Sequence, residues 1–187
     1  MQTKKEKILE TAMKLFVENG IQSTATASIA KEAGVATGTL FHHFKSKEDL
    51  VHELYNSIFA SLISYQKEHF DETNDTYERL HQIWRLDIEW GTGHVEYAHF
   101  LERHSFFYYA SESVIDETYE HFEYCEKTFE EAVAKNLMKI NDLEYIRNHY
   151  IWNIRMNIIY FINQPEQCTP ENIEKTFTIY WTGIANV

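Results

Sequence analysis

Apolar residues recur every three to four positions along most of the chain, a spacing typical of helices that bury one face. In the first such stretch, 3–19, the residues Ile8, Ala12 and Phe16 fall on one stripe, and Gly20 is expected to end the helix. Only six Gly and two Pro among 187 residues favour long helices over a turn-rich β fold. The pattern therefore predicts an all-α protein of about nine helices.

Two short helical runs separated by a glycine occupy residues 24–47. Ile29 faces inward on the first run, and Leu40 and Phe44 face inward on the second. Between the runs, Gly34 permits the left-handed backbone that ends a helix. Two short helices joined by a tight glycine turn form a helix-turn-helix, a DNA-binding motif whose second helix lies in the major groove.

The outward face of the second helix of this motif carries the candidate DNA contacts. Threonine side chains and the ring of Phe41 can contact phosphates or thymine methyl groups. Histidines such as His42 and the neighbouring His43 can become cationic in mild acid. Lys47, at the start of the following helix, is expected to hold a phosphate there. The predicted DNA-binding residues are Thr26, Thr37, Gly38, Thr39, Phe41, His42 and Lys47.

The segment SIAKEAGVATGTLFHHFKSKEDL resembles the DNA-binding motif of the TetR/AcrR family of one-component bacterial and archaeal regulators. The resemblance covers about the first 60 residues of the chain. It implies a three-helix head that binds operator DNA, and a helical bundle that binds an effector and forms a homodimer. The positions that carry the resemblance are Thr24, Ile29, Ala30, Ala33, Gly34, Val35, Gly38, Thr39, His43, Phe44, Lys47 and Leu50.

The chain departs from the family pattern at several positions that face DNA. Ala36 and Thr37 stand where a Ser and a Lys are usual, and Ala36 cannot cap the second helix through its side chain. Phe41 replaces a Tyr whose hydroxyl commonly contacts a phosphate, and Ala27 replaces a frequent Arg or Lys. The reading face is therefore poor in cations.

Further helices are predicted beyond the motif. Ser46 and Asp49 form a pair like a capping box at the start of the fourth helix, which runs to about His69. The glycines of Gly91-Thr92-Gly93 are expected to separate two helices, and Thr169 with Pro170 to begin the last one. The remaining predicted helices span 77–90, 94–109, 113–138 and 143–163.

Charge is distributed unevenly between the two predicted domains, a DNA-binding domain over 1–48 and a ligand-binding and dimerisation domain over 49–187. Residues 1–50 hold seven Lys and six acidic residues, whereas 51–187 hold ten basic and 23 acidic ones. The net charge of −12 thus lies away from the predicted DNA face.

Other classes of protein are less well supported by the sequence. No apolar run is long enough to span a membrane, and the start lacks the apolar core of a signal peptide. Cys125 and Cys168 are expected to be reduced thiols in a cytoplasmic protein. His94, His99 and His104 are spaced by five, which scatters them around a helix, so neither a metal site nor a cofactor is predicted. No nucleophile with a matching base is found, which argues against an enzyme.

The predicted second domain is rich in aromatic residues, which favours an effector cavity between its helices. Glu89 and Glu102 favour a cationic effector over aromatic rings, while Arg85, Arg103 and Arg155 leave room for a carboxylate. The expected effector is thus a small hydrophobic or aromatic compound, with a slight preference for a neutral or cationic one. The predicted lining is Phe59, Trp84, Ile88, Phe100, His104, Phe107, Phe122, Trp152 and Met156.

The eighth and ninth helices carry more apolar surface than one subunit needs, which favours a two-fold pair. The predicted interface residues are Tyr150, Asn153, Asn157, Phe177, Tyr180, Trp181 and Ile184. The sequence therefore predicts a homodimeric, ligand-responsive DNA-binding regulator, usually a repressor in the family that it resembles. The alternative is a helical ligand-binding or scaffold protein with weakened DNA reading, and a helical enzyme is a more distant one.

Overall fold

The computed structural model describes residues 2–72, 75–104 and 123–186. Within these ranges the regular structure is helical, as predicted, apart from a single bridge between Met138 and Ala185. The helices are α1 (Lys4–Asn19), α2 (Thr26–Glu32), α3 (Thr37–His43), α4 (Lys47–His69), α5 (Thr76–Gly93), α6 (Val95–Arg103), α7 (Glu123–Ala134), α8 (Leu143–Asn163), a 3₁₀ turn (Pro165–Gln167) and α9 (Pro170–Ile184).

The chain divides into two compact units, and α4 and α6 each contribute residues to both. Unit 1 comprises Met1–Ala60 with His99–Thr118, and unit 2 comprises Ser61–Ala98 with Tyr119–Val187. Unit 1 therefore includes more of α4 than the DNA-binding domain predicted over 1–48. That domain division stays a prediction.

In unit 1 the helices α1, α2 and α3 pack on one another through small and apolar side chains. Ile8, Phe16, Ile29 and Leu40 are each fully buried. The turn between α2 and α3 has the expected geometry, since Gly34 adopts a φ of 68°. In this left-handed region an L side chain is strained, so the glycine is required by the backbone itself.

In unit 2 the helix α5 packs against α7, α8 and α9. Gly91 is the position of closest approach, because a Cβ added there would lie 2.7 Å from the side chain of Ile158 on α8. The helix predicted to end at residue 90 therefore runs on to Gly93, and the predicted break follows directly, since α6 begins at Val95. The helix continues through Gly91 because the missing side chain is needed for packing with α8, not for a turn.

The helix predicted over 113–138 differs from the structure at its end. Its described part, α7, stops at Ala134, and Asn136 then takes a left-handed φ of 55°. Asparagine tolerates this conformation better than most residues. The chain then runs beside the end of α9, where the Lys139 amide donates to the Ile184 carbonyl at 2.8 Å.

The boundaries of α8 and α9 agree with the prediction. Asp142 caps α8 by accepting from the Tyr145 amide, and Thr169 caps α9 by accepting from the Asn172 amide. Pro170 occupies the first turn of α9, where its missing N–H costs no hydrogen bond. In the part of the chain that the structure describes, no helix is both long and apolar enough to cross a membrane.

Candidate DNA-binding surface and effector core

The second helix of the predicted motif, α3, presents a mixed apolar and polar face. Thr37, Gly38 and His42 are exposed, and Phe41 is 44% exposed although it is a large apolar residue. Thr39 is half-buried beside them. Because Leu40 and Phe44 are buried beneath, the phase predicted for this helix is the observed one.

The helices of the motif begin without side-chain caps. Ala25 precedes α2 and Ala36 precedes α3, and neither makes a side-chain hydrogen bond to its helix. Thr26, in the first turn of α2, is half-buried. Thr24 instead ties the entry of α2 to α1, since its hydroxyl donates to the Gly20 carbonyl at 2.8 Å.

The Lys47 side chain makes contacts that the sequence did not predict. Its ammonium donates to the carbonyls of Ile21, Gln22 and Thr24, at 2.9, 3.3 and 3.4 Å. The lysine therefore closes the loop between α1 and α2 from the start of α4. A phosphate contact by Lys47 stays a prediction, and the geometry favours a structural role because the three donors already have acceptors.

The expected capping pair at the start of α4 is only half formed. The Ser46 hydroxyl accepts from the Asp49 amide at 3.0 Å, as expected. The Asp49 carboxylate accepts from the Lys45 amide at 3.1 Å, one residue earlier than in a capping box.

Some predicted lining residues of the effector site lie in an aromatic cluster of unit 1. The Tyr55 ring stacks on Phe59 with centroids 6.2 Å apart and lies 5.1 Å from Phe100. The Tyr55 hydroxyl donates to the His104 carbonyl at 2.9 Å. Nε2 of His104 lies 3.2 Å from the Phe16 carbonyl, and burial lowers the pKa of its imidazole.

Other predicted lining residues lie in unit 2, on two different surfaces. Trp84 and Ile88 are fully buried, and the Trp84 ring stacks on Tyr180 at 4.8 Å. Trp152 and Met156 are 65% and 61% exposed on α8. These two side chains point away from the core of unit 2, so this single chain does not bring them together with Trp84. Phe107 and Phe122 lie outside the described residues.

A buried carboxylate in unit 2 was missed by the sequence analysis. Asp87 on α5 accepts from the Tyr150 hydroxyl at 2.7 Å and from the Gln66 amide. Burial raises the pKa of Asp87 to about 7, although both hydrogen bonds act against the shift. A signal was present, because Asp87 shares the inward stripe of α5 with Trp84 and Ile88.

Two further polar atoms in this core are buried without a hydrogen-bond partner among the described residues. They are the hydroxyl oxygen of Tyr180 and Nδ1 of His149. The two rings stack with centroids 5.5 Å apart. Burial raises the pKa of Tyr180 strongly.

The predicted interface residues of α8 and α9 belong to the core of their own unit. Tyr150, Asn157, Phe177, Tyr180, Trp181 and Ile184 are all buried within the single chain. Asn153 is half-buried, and its amide donates to the His149 carbonyl at 2.8 Å. Most of the residues predicted to face a partner therefore belong to the core of their own unit, which side chains of α5 also form.

The surface that α8 and α9 leave open is apolar as well. On α8 the exposed positions recur at helical spacing, and on α9 the side chain of Ile179 is 72% exposed. We call this surface the outer stripe, and it consists of Tyr145, Trp152, Met156, Tyr160 and Ile179.

A metal site finds no support in the structure. Within residues 2–72, 75–104 and 123–186, no group of three or more His, Cys, Asp or Glu side chains is arranged to hold a metal ion.

Comparison with known proteins places the N-terminal motif in a family. Residues 8–54 match the family model for bacterial regulatory proteins of the tetR family. A curated relative, the HTH-type transcriptional repressor KstR2 of Mycobacterium tuberculosis, is 33% identical over 87 residues, which are 46% of this chain and 44% of the relative. An uncharacterised HTH-type regulator of Haemophilus influenzae is 30% identical over 80 residues, 43% of each chain. The chain thus matches less than half the length of these curated relatives.

Solved structures extend the similarity beyond the N-terminal motif. A putative tetR family transcription regulator from Shewanella sp. PV-4 superposes with a TM-score of 0.90 at 28% identity, over 100% of both chains. A TetR family transcription regulator from Marinobacter aquaeolei VT8 superposes with a TM-score of 0.84 at 18% identity, over 98% of this chain and 96% of the other. The second likeness shows the fold alone.

Proposed function

Since this chain is a TetR-family protein by its DNA-binding motif and its fold, we propose that it is a ligand-responsive transcriptional regulator. It binds operator DNA as a homodimer and most simply acts as a repressor, which a small hydrophobic effector releases. It acts on DNA in the cytoplasm and is not an enzyme.

The exposed face of α3 is the observation that carries this proposal. Thr37, Phe41 and His42 stand outward on a short helix whose inner side is fixed by Leu40 and Phe44. This face is shaped for groove contacts, but it holds no Lys or Arg within α3. Affinity must then come largely from threonine hydroxyls, backbone N–H groups and apolar contact with thymine methyl groups.

The homodimer is proposed through the outer stripe. Four large apolar or aromatic residues are exposed along α8 and one, Ile179, is exposed on α9, and exposed apolar surface of this kind favours an interface. A two-fold pair covers the same patch on both copies at once. Two recognition helices can then read two half-sites.

The effector is proposed to bind in unit 2 and to shift the population of the dimer away from the state that fits both half-sites. The aromatic core around Trp84 supplies the apolar environment that such sites use. The comparisons favour this regulator over the alternative of a helical ligand-binding or scaffold protein with weakened DNA reading.

A mobility-shift assay with the DNA upstream of its own gene tests the function. We expect a specific complex at low salt that Thr39→Ala weakens selectively, by about 1–3 kcal/mol, if Thr39 contacts a base. Glu166→Gln, an exposed residue of the 3₁₀ turn, is the matched control and should leave the complex unchanged. The absence of any specific complex at low salt would favour the alternative.

A further inference from the structure

The second half of α4, which belongs to unit 2, is tied to α5 by side-chain hydrogen bonds. The Tyr65 hydroxyl donates to the Glu89 carboxylate at 3.2 Å, in a partly buried position. One residue further along α4, the Gln66 amide donates to the Asp87 carboxyl, and both of these side chains are buried. The tie through Gln66 is therefore shielded from water, whereas the tie through Tyr65 is not.

The carboxyl of Asp87 also joins α5 to α8. Its second oxygen accepts from the Tyr150 hydroxyl at 2.7 Å, so one buried side chain connects α4, α5 and α8. Among the described residues no Lys or Arg forms an ion pair with this carboxyl. A buried carboxylate is costly unless a cation or several donors stabilise it.

A neutral carboxyl fits this cluster better than a carboxylate does. A carboxylate offers about four acceptor sites, and two donors satisfy only part of them. A neutral carboxyl has one O–H donor and one acceptor oxygen, so Tyr150 can donate to it while its O–H donates to the amide oxygen of Gln66 after a half turn of that amide. Since no cation offsets the buried charge, the protonated cluster is the more stable one in the closed core.

The other titratable side chains around this cluster are Tyr150 on α8, Cys125 on α7 and Tyr180 on α9. Burial raises the pKa of both tyrosines, so they stay neutral while Asp87 ionises. From α4 the facing group is the uncharged amide of Gln66. Asp87 is therefore the group of this cluster that changes its charge as the pH rises to neutrality.

We propose that Asp87, Gln66 and Tyr150 form a proton-controlled latch, which holds the second half of α4 against α5 and α8 while the carboxyl is protonated and loosens when it ionises. In the closed latch the proton stays on the buried carboxyl. When α4 moves away from α5, water reaches the carboxyl and the proton passes to solvent. The latch itself does not rest on the proposed function, but an effect on operator binding does, since α4 begins beside the DNA-binding motif at Lys47.

The latch loosens over a defined pH range. Burial raises the pKa of Asp87 to about 7 from the ordinary 3.8, which the carboxyl regains in the open state. Between these two values each opening releases one proton, so the open fraction rises by up to about 10-fold per pH unit. Above about pH 7 the carboxyl is ionised in both states, and the open fraction no longer depends on pH.

Hydrogen exchange of the full chain, measured by mass spectrometry, tests the latch under conditions in which reclosing is faster than exchange. The segment 61–69 is followed from about pH 5 to 7.5 in wild type and in Asp87→Asn, whose amide supplies a donor and an acceptor at every pH, as a neutral carboxyl does. We expect the ratio of wild-type to variant exchange rates to rise by up to about 10-fold per pH unit until about pH 7 and then to level off. A ratio that does not change with pH would overturn the proposal.

Glu68→Gln is the matched control for Asp87→Asn, because Glu68 is an exposed acid on α4, and its exchange profile should equal that of wild type. The ratio also cancels the contributions of ionisable groups that both proteins share, such as His149, whose ring stacks on Tyr180. The opening must be separate from global unfolding. Exchange of 61–69 that is no faster than global unfolding, measured in urea at the same pH, would contradict the latch.

A second variant tests the α4 end of the latch and keeps the test decisive if Asp87→Asn does not fold. Gln66→Met has a side chain of similar length that cannot donate to Asp87, so exchange of 61–69 at about pH 5 should be about 2- to 10-fold faster than in wild type. The wild-type profile, corrected for the exchange rates of unprotected amides at each pH, then replaces the ratio. An unchanged exchange rate in Gln66→Met would contradict the latch.

Operator binding in the mobility-shift assay separates this inference from the proposed function. If the exchange profile is as expected but no specific DNA complex forms, the latch stands and the regulator does not. If the chain binds operator DNA but the exchange of 61–69 does not depend on Asp87, the regulator stands and the latch does not.

Discussion

At the scale of single residues, Asp87 makes stability depend on pH in an unusual direction. Burial raises its pKa from the ordinary 3.8 to about 7, so between these values the folded state holds a proton that the unfolded state has lost. Its contribution to stability is therefore greatest in acid, falls as pH rises from about 4 to 7, and is constant above that.

We expect Asp87→Asn to be more stable than wild type at pH 8, by an amount on the order of a few kcal/mol at most. The difference should shrink as the pH falls toward 5, because the wild-type carboxyl is then neutral as well. Urea unfolding at each pH measures this. The prediction fails if the difference between the two proteins is independent of pH.

Substitution of Lys47 distinguishes a structural role, holding the loop between α1 and α2, from a role in binding a DNA phosphate. If its ammonium mainly holds the loop carbonyls of Ile21, Gln22 and Thr24, Lys47→Ala should lower the free energy of unfolding by about 1–3 kcal/mol. If it mainly binds a phosphate, the same variant should keep its stability and flatten the salt dependence of DNA binding by about one.

Because the Lys47 ammonium already contacts three carbonyls, we expect Lys47→Ala to be less stable than wild type in thermal or urea unfolding. Lys45→Ala is the matched control, since Lys45 is exposed two residues earlier. Unchanged stability with a flattened salt slope would establish the phosphate contact instead.

At the scale of elements, α3 combines an exposed aromatic ring with exposed histidines at its end. His42 and His43 lie 5.4 Å apart by ring centroid, in the last turn of α3. A positive charge on this face would attract the phosphates of DNA.

DNA affinity is accordingly expected to rise in His42→Lys, which places a permanent positive charge on this face. His69→Lys, at the exposed end of α4, is the matched control and should raise the affinity less. Fluorescence anisotropy with labelled operator DNA at fixed salt gives the comparison. Equal affinities of His42→Lys and wild type would rule out this role.

At the scale of the whole molecule, the outer stripe is the surface that predicts assembly. Trp152 on α8 is 65% exposed, and Ile179 on α9 is 72% exposed. Burying such residues at a homodimer interface is favourable by roughly 25 cal/mol per Å² of apolar surface, before the cost of association.

Sedimentation should therefore give about twice the 22.3 kDa mass of the chain. Trp152→Glu places a charge in the stripe and should shift the protein toward a monomer, because an unpaired buried charge is costly. Glu171→Ala, an exposed residue at the start of α9, is the control. A wild-type monomer at micromolar concentration would defeat both the interface and the half-site mechanism.

The sequence by itself determined the helical class, the glycine turn at Gly34 and the outward face of α3. These follow from local physics, because helical periodicity, a left-handed backbone and a capping threonine act within a few residues of one another. The family resemblance of the motif has the same origin, since its positions are fixed by a short turn and two short helices.

Only the tertiary structure decided which apolar surfaces are covered. Tyr180 and Trp152 are both aromatic residues in helices rich in apolar side chains, yet Tyr180 is buried in its own unit and Trp152 is exposed. Likewise, Gly91 continues a helix that its neighbours seemed to end, because Ile158 from a distant part of the chain occupies the space of its side chain. Burial depends on partners that lie far away along the chain, and periodicity within one helix carries no information about them.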